Sequence, residues 1–265
     1  MRPASGVRMP SEFWIFAVVG ALAQLVDGAL GMGYGVVSST VLLSLGVPPA
    51  NASASVHAAK TFTGAASAVS HLAYRNIDWR LLGPLSAGGV VGGVLGAYVL
   101  TSVDGDKVKP LVVAWLAVMG LIILYRAWKG SRPRISPTRR PIPLGLVGGF
   151  MDAVGGGGWG PVVTGTLLGG GAEPRKAIGT TNAAEFFVAG AISAAFLWAL
   201  LVGGWEAEGL SEQAWSVGGL VAGGFVIAPV AGWTTKVLPL RVLTWLVGLM
   251  VTALAVWQGV ELWRA

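Results

Sequence analysis

Lys60 and Glu185 are the side chains with the strongest claim to chemistry, because each interrupts a long apolar stretch, residues 56–74 and 177–205. An ionisable group inside a membrane-length apolar segment is costly and is functional by default. His57 stands three residues before Lys60, and Asn182 three before Glu185. That spacing places each pair on one helix face. Two readings follow. Lys60 and Glu185 form an ion pair that holds two parts of the chain together, or Lys60 and His57 attract an anion while Glu185 accepts a coupling proton.

The second group is a pair of glycine clusters. Asp27-Gly28-Ala29-Leu30-Gly31-Met32-Gly33-Tyr34-Gly35 returns as Asp152-Ala153-Val154-Gly155-Gly156-Gly157-Gly158-Trp159-Gly160. Free backbone N–H groups at Gly31, Gly33, Gly35 and Gly155 through Gly158 would combine with the positive ends of half-helices starting near Tyr34 and Trp159. Together these make a site for a small anion. The expected substrate shell is therefore Gly31, Gly33, Tyr34, Gly35, His57, Lys60, Gly156, Gly157, Gly158, Trp159 and Asn182. Asp27 and Asp152 are expected to cap the half-helices through their side-chain oxygens, with proton carriage the alternative, and Glu185 is a coupling or structural charge. The plainer reading of the glycines is that they permit close helix crossing. A potassium-filter reading of Gly31-Met32-Gly33-Tyr34-Gly35 fails because such filters join four like loops around one axis. A dinucleotide-binding reading fails for want of a strand–turn–helix context.

The elements that must position these residues come in two copies. Residues 27–62 align with 152–187 without a gap, and thirteen of the thirty-six positions are identical. Each copy opens with a broken apolar segment, residues 13–30 and 34–45 in the first, 144–154 and 159–168 in the second. Longer apolar runs follow at 56–74, 81–101 and 110–128, then at 177–205, 215–235 and 242–260. Broken segments at matching positions of two halves point to a transporter's binding site. The expected organisation is a membrane repeat over 1–128, a basic cytoplasmic linker over 129–143 and a second repeat over 144–265, forming one transmembrane unit. Small-residue rows, Gly88-Gly89-Val90-Val91-Gly92-Gly93 and Gly218-Gly219-Leu220-Val221-Ala222-Gly223, are expected to pack helices closely in lipid. The second follows an insertion carrying Glu206, Glu208 and Glu212.

Composition supports lipid as the solvent. The chain is 54% apolar and only 11% charged, against about 25% charged in soluble domains. Its net charge of +6 lies in loops between apolar runs, the pattern that sets membrane orientation, so no nucleic-acid partner is expected. Cysteine is absent and the only histidines are His57 and His71, which excludes disulfides and cysteine-ligated metals. No cofactor, metal site or nucleophile–base pair is implied, so no enzyme is expected. His71, beside Tyr74 and Arg75, is expected at the membrane interface, and Asn51-Ala52-Ser53 in a tight turn. Arg2 and Arg8 open the chain like a signal peptide, but no small-residue cleavage site ends the run at 13–30, which is read as retained. Trp128, Trp205, Trp215, Trp257 and Trp263 fall near span ends, as an aromatic belt would.

One crossing per broken segment makes the repeats parallel; a re-entrant hairpin or two short crossings makes them inverted. A single crossing by residues 13–45 would be about 50 Å of helix at 1.5 Å per residue, too long for a hydrocarbon core of about 30 Å. Inversion also puts Arg175, Lys176, Lys236 and Arg241 inside, leaving Arg264, Arg2 and Arg8 outside. The expected fold is an all-α polytopic membrane protein of two inverted repeats, each opening with a glycine-broken helical hairpin.

The chain resembles the TauE/SafE sulfite-exporter (TSUP) family. The likeness is carried by Gly148-Gly149-Phe150-Met151-Asp152-Ala153-Val154-Gly155-Gly156-Gly157-Gly158-Trp159-Gly160-Pro161-Val162-Val163-Thr164, with Ser55-Val56-His57-Ala58-Ala59-Lys60, Ser70-His71, Asn76-Ile77-Asp78-Trp79-Arg80, Glu173-Pro174-Arg175 and Ile178-Gly179-Thr180-Thr181-Asn182-Ala183-Ala184-Glu185-Phe186-Phe187. The resemblance implies a multi-pass carrier in the bacterial inner membrane that moves small sulfur-containing or organic anions such as sulfite, sulfoacetate or related sulfonates; a coupling proton or sodium is a further expected partner. Lys60 departs from the acidic residue expected after Ser-Val-His-Ala-Ala, which implies altered coupling or substrate charge. An anion channel and a non-transporting membrane anchor subunit are the alternatives.

Overall fold

A computed structural model describes residues 11–129, 140–170, 172–203, 205, 214–237 and 240–264. Arg2, Arg8, most of the basic linker and the insertion with Glu206, Glu208 and Glu212 lie outside the described residues. The chain is all-helical there. The first half contains α1 (Ser11–Leu30), α2 (Tyr34–Ser44), α3 (Pro49–Ala73), α4 (Trp79–Ser102) and α5 (Gly105–Lys129). The second contains α6 (Pro141–Gly155), a wide π-helical turn (Gly160–Thr164) leading into α7 (Gly165–Gly169), α8 (Pro174–Leu201), α9 (Ala214–Ile227), α10 (Ala231–Val237) and α11 (Leu240–Arg264).

Among the described residues, six helical stretches are long and apolar enough to cross a membrane: Ser11–Leu30, Trp79–Ser102, Gly105–Lys129, Pro174–Leu201, Ala214–Thr234 and Thr244–Arg264. Their outward faces carry Trp14, Leu22, Tyr98, Leu121, Trp198 and Val226, all exposed, as lipid contact requires. The 25-residue α3 is long enough but lies outside that set. It begins at Pro49, where a proline fits the first helical turn, so Asn51 and Ser53 are helical and buried rather than in a turn. Its polar residues, Ser53, His57, Lys60, Thr63, Ser67 and His71, are buried among other helices, which makes α3 the polar spine of the molecule. Helix ends also reach into the predicted linker, because Lys129 closes α5 and Pro141 and Pro143 occupy the first turn of α6.

Two packing patterns position the centre. α4 lies parallel to α6: a Cβ on Gly96 would stand 2.6 Å from the Phe150 carbonyl oxygen, and Gly92 and Gly88 face the Leu146 and Ile142 carbonyls one and two turns earlier. α9 lies parallel to α1 in the same manner, with Gly219 and Gly223 against the Phe13 and Ala17 carbonyls. In each pair small residues bring two backbones together. By contrast α3 and α8 run antiparallel. Ser67, late in α3, donates to Asn182 Oδ1, early in α8, at 2.9 Å, and Thr61 lies 3.3 Å from Ser193. Lys176, in the first turn of α8, donates to the carbonyls of Arg75 and Ile77 just past α3. α5 and α11 are antiparallel too, with Arg241 Nε donating to the Ala127 carbonyl at 3.1 Å.

Candidate functional site

The two glycine clusters form the turns between α1 and α2 and between α6 and the π-helical turn. Gly31 and Gly156 occupy register-matched positions in the left-handed region, with φ of 65° and 68°, a conformation that costs glycine least. The turns clasp each other. Ser39 Oγ donates to the Gly156 carbonyl at 2.8 Å, and Thr164 Oγ1, its register mate, donates to the Gly31 carbonyl at 2.6 Å. Backbone meets backbone at this crossing. A Cβ on Gly35 would lie 2.7 Å from the Gly156 carbonyl oxygen and 2.9 Å from Gly157 Cα, and one on Gly160 would lie 2.5 Å from Met32 Cα. Glycine at 35 and 160 is therefore set by the approach of the opposite turn.

The two aspartates that open the clusters bond alike. Asp27 Oδ1 accepts from the Tyr34 N–H at 3.2 Å, and Asp152 Oδ1 from the Trp159 N–H at 3.1 Å. Each carboxylate thus spans its own glycine turn and occupies the N–H at the start of the next half-helix, where a negative charge is favoured by the dipole.

Between the turns lies a narrow crevice lined by Asp27, Gly33, Gly35, Val36, Lys60, Asp152, Gly157, Gly160, Pro161 and Glu185. Lys60 is its centre. Its Nζ stands 2.7 Å from Asp152 Oδ2 and 2.6 Å from Glu185 Oε1. All four ionisable lining residues are nearly or fully enclosed, the lysine at 3% exposure and Glu185 at 8%. A buried lysine is tolerable only with such partners. Behind Asp152 stands His57, whose Nε2 is 3.0 Å from the same Oδ2. Its Nδ1 lies 2.7 Å from the Ser53 carbonyl oxygen, an atom that only accepts. The ring therefore bridges the Ser53 carbonyl and the Asp152 carboxylate.

Of the residues expected around a substrate, Gly33, Gly35, Lys60 and Gly157 line the crevice, with Asp27, Asp152 and Glu185. Gly31 and Gly156 hold the turn geometry from behind. Gly158 packs against Met151 and Asp152 backbone. The side chains of Tyr34, Trp159 and Asn182 are directed elsewhere. Tyr34 donates its hydroxyl to the Leu220 carbonyl at 2.9 Å, and Trp159 its Nε1–H to the Thr181 carbonyl at 3.1 Å. Asn182 accepts from Ser67 and donates to the Ile178 carbonyl. His71, expected at an interface, is fully enclosed, with Asn76 Nδ2 3.2 Å from its Nδ1. Sequence reasoning missed Val36, Gly160 and Pro161 in the lining, and the Ser39–Thr164 clasp. The register alignment carried a signal for the clasp, since hydroxyl residues stand at both positions.

This is an all-helical multi-pass membrane protein whose polar centre is a buried lysine between two interlocked glycine turns, and its family and relative are those of membrane transporters. The chain belongs to the TauE/SafE sulfite exporter family, which it matches over residues 16–257. It is 43% identical over 230 residues, 84% of this chain and 74% of the relative, to the probable membrane transporter protein YtnM of Bacillus subtilis (strain 168). No solved structure matches the chain.

Proposed function

We propose that the chain is a secondary carrier of small sulfur-containing or organic anions, such as sulfite, sulfoacetate or similar sulfonates, working by alternating access in the bacterial inner membrane. The observation that carries this reading is the enclosed Lys60 at the junction of the two glycine turns, in a chain of the sulfite exporter family. A lysine there is a point charge for one oxyanion, and Gly33, Gly35 and Gly157 keep the walls free of side chains.

In this reading the halves are inverted repeats that rock about the crevice. Two features support it. The bonds are exchanged reciprocally, Ser39 to Gly156 and Thr164 to Gly31, and reciprocal exchange is the signature of a two-fold relation. The register mates α3 and α8 run antiparallel, as inversion through an axis in the membrane plane requires. Both termini then face outward and the linker over 129–143 faces the cytoplasm. Single cysteines at Ser5 and Ser211 test this in a chain with none of its own; reaction only from the cytoplasmic side overturns inversion.

The transport reading is tested in proteoliposomes with radiolabelled sulfite. Saturable counterflow is the expected result. An ohmic current instead identifies a channel, and the absence of any flux identifies an anchor subunit.

A further inference from the structure

Lys60 is held on both sides. Asp152 Oδ2 and Glu185 Oε1 take two of its three ammonium hydrogens at 2.7 and 2.6 Å, and the crevice around it is too tight for a water molecule. An anion reaching this lysine must displace one carboxylate. A displaced carboxylate left charged beside an incoming anion, with no solvent to screen either, opposes that entry.

We propose that Glu185 is the proton acceptor that frees Lys60, so that each anion is carried together with one proton. This rests on the carrier reading above. The choice between the two carboxylates follows from their partners. Without the lysine, Asp152 keeps the Trp159 N–H and the contact with His57 Nε2. Glu185 has no other bond among those described, and it is the more exposed of the two, with 10% of its side chain accessible against none for Asp152. Protonation converts Glu185 from an acceptor of the lysine into a neutral carboxylic acid with a hydrogen of its own to donate. The released Nζ–H turns to the anion, and for a monovalent anion such as hydrogen sulfite the site's charge is the same before and after the pair is loaded.

The groups that face Glu185 are consistent with this role. α3 supplies Lys60 and, one shell behind, His57; α6 supplies Asp152; α1 supplies Asp27, which lines the same crevice. α2 brings Tyr34, whose hydroxyl is bonded to the Leu220 carbonyl. α4 meets α8 through Gly89 and Gly93, and the π-helical turn adds Gly160 and Pro161 to the wall. Three carboxylates thus line a space that holds one lysine, a surplus that suits cation uptake and leaves Lys60 as the only lining group able to bind an anion by charge.

The test is infrared difference spectroscopy on the purified full chain in lipid at constant pH, with and without sulfite. The expected result is a new carboxylic-acid C=O band on sulfite binding that is absent in Glu185→Gln, a variant that preserves size and an oxygen acceptor. In liposomes, an inward gradient of one pH unit should accumulate sulfite about tenfold in the wild type and less than about twofold in Glu185→Gln. Sulfite binding with no new band overturns proton coupling while leaving the carrier reading intact. A band that persists in Glu185→Gln overturns the assignment to Glu185. Should that variant fail to insert, Glu185→Asp takes its place, and a band that does not shift between wild type and Glu185→Asp also rejects the assignment. Failure of sulfite to bind the wild type at all overturns the carrier reading and this inference together.

Discussion

The Asp27 and Asp152 sides of the crevice share a backbone and differ in charge. Each aspartate spans a glycine turn to cap the following half-helix, at 3.2 and 3.1 Å, and each turn is clasped by a hydroxyl of the other half. Asp152 in addition receives Lys60 and faces His57. Those two residues have Glu185 and Asn182 as their register mates, and Asn182 is committed to Ser67 and the Ile178 carbonyl. The hydrogen bonding of the two turns is therefore alike, and the two sides differ where charge enters. Lys60 and Glu185 meet there as an ion pair.

The largest test of that difference compares Asp152→Asn with Asp27→Asn. At 152 the new amide group turns an N–H toward Lys60 or His57 and removes one of the lysine's two counter-charges. The expected cost is about 3–5 kcal/mol, read as lost thermal stability in detergent. At 27 the amide oxygen still accepts from the Tyr34 N–H, so the cost should be about 1 kcal/mol or less. Equal losses would mean that the two sides are energetically alike.

Next in size is the coupling between Lys60 and Glu185. Lys60→Met strands two carboxylates and Glu185→Gln weakens one partner of the lysine, so each alone should destabilise the protein by about 1–4 kcal/mol. The double variant should lose less than the sum, because the bond each single change breaks is already missing. A double-mutant cycle in thermal unfolding measures this, and strict additivity would separate the two residues.

Gly35→Ala and Gly160→Ala sharpen the shared part of the comparison. Each places a methyl group against the backbone of the opposite turn, and each should cost about 1–3 kcal/mol with closely similar losses of sulfite exchange. A variant at one position that transports normally would show that the two turns do not move as equivalents. The smallest effect is expected at the clasp. Ser39→Ala and Thr164→Val each remove one hydroxyl hydrogen bond, worth about 0.5–1.5 kcal/mol, and leave a buried carbonyl behind. Thr164→Val should be the costlier, since Thr164 lies 2.9 Å from Thr181 as well.

Much of the fold is legible without coordinates. Apolar runs of span length, interrupted by glycine clusters, locate the broken segments to within a few residues, because local backbone freedom and local hydropathy decide them. α6 ends at Gly155 and α2 begins at Tyr34, near the predicted breaks. α3 was harder to bound: its polar residues mimic a turn at Asn51 and Ser53, yet their buried positions put them inside a helix surrounded by others.

By itself the sequence determined the class of protein, the positions of the two glycine turns and the register that makes Lys60 and Glu185 counterparts. These are properties of composition and of spacing along one segment. Only the tertiary structure decided that Lys60 reaches Asp152 as well as Glu185, that His57 stands behind Asp152, and that Tyr34, Trp159 and Asn182 direct their side chains away from the crevice. The physical reason is that periodicity tells which face of a helix is buried, not which helix buries it. Lys60 lies 92 residues from Asp152 in the chain, and their meeting depends on the angle at which α3 crosses α6. Ser53 of α3 donates its hydroxyl to the Ala153 carbonyl of α6, a contact visible from neither segment alone.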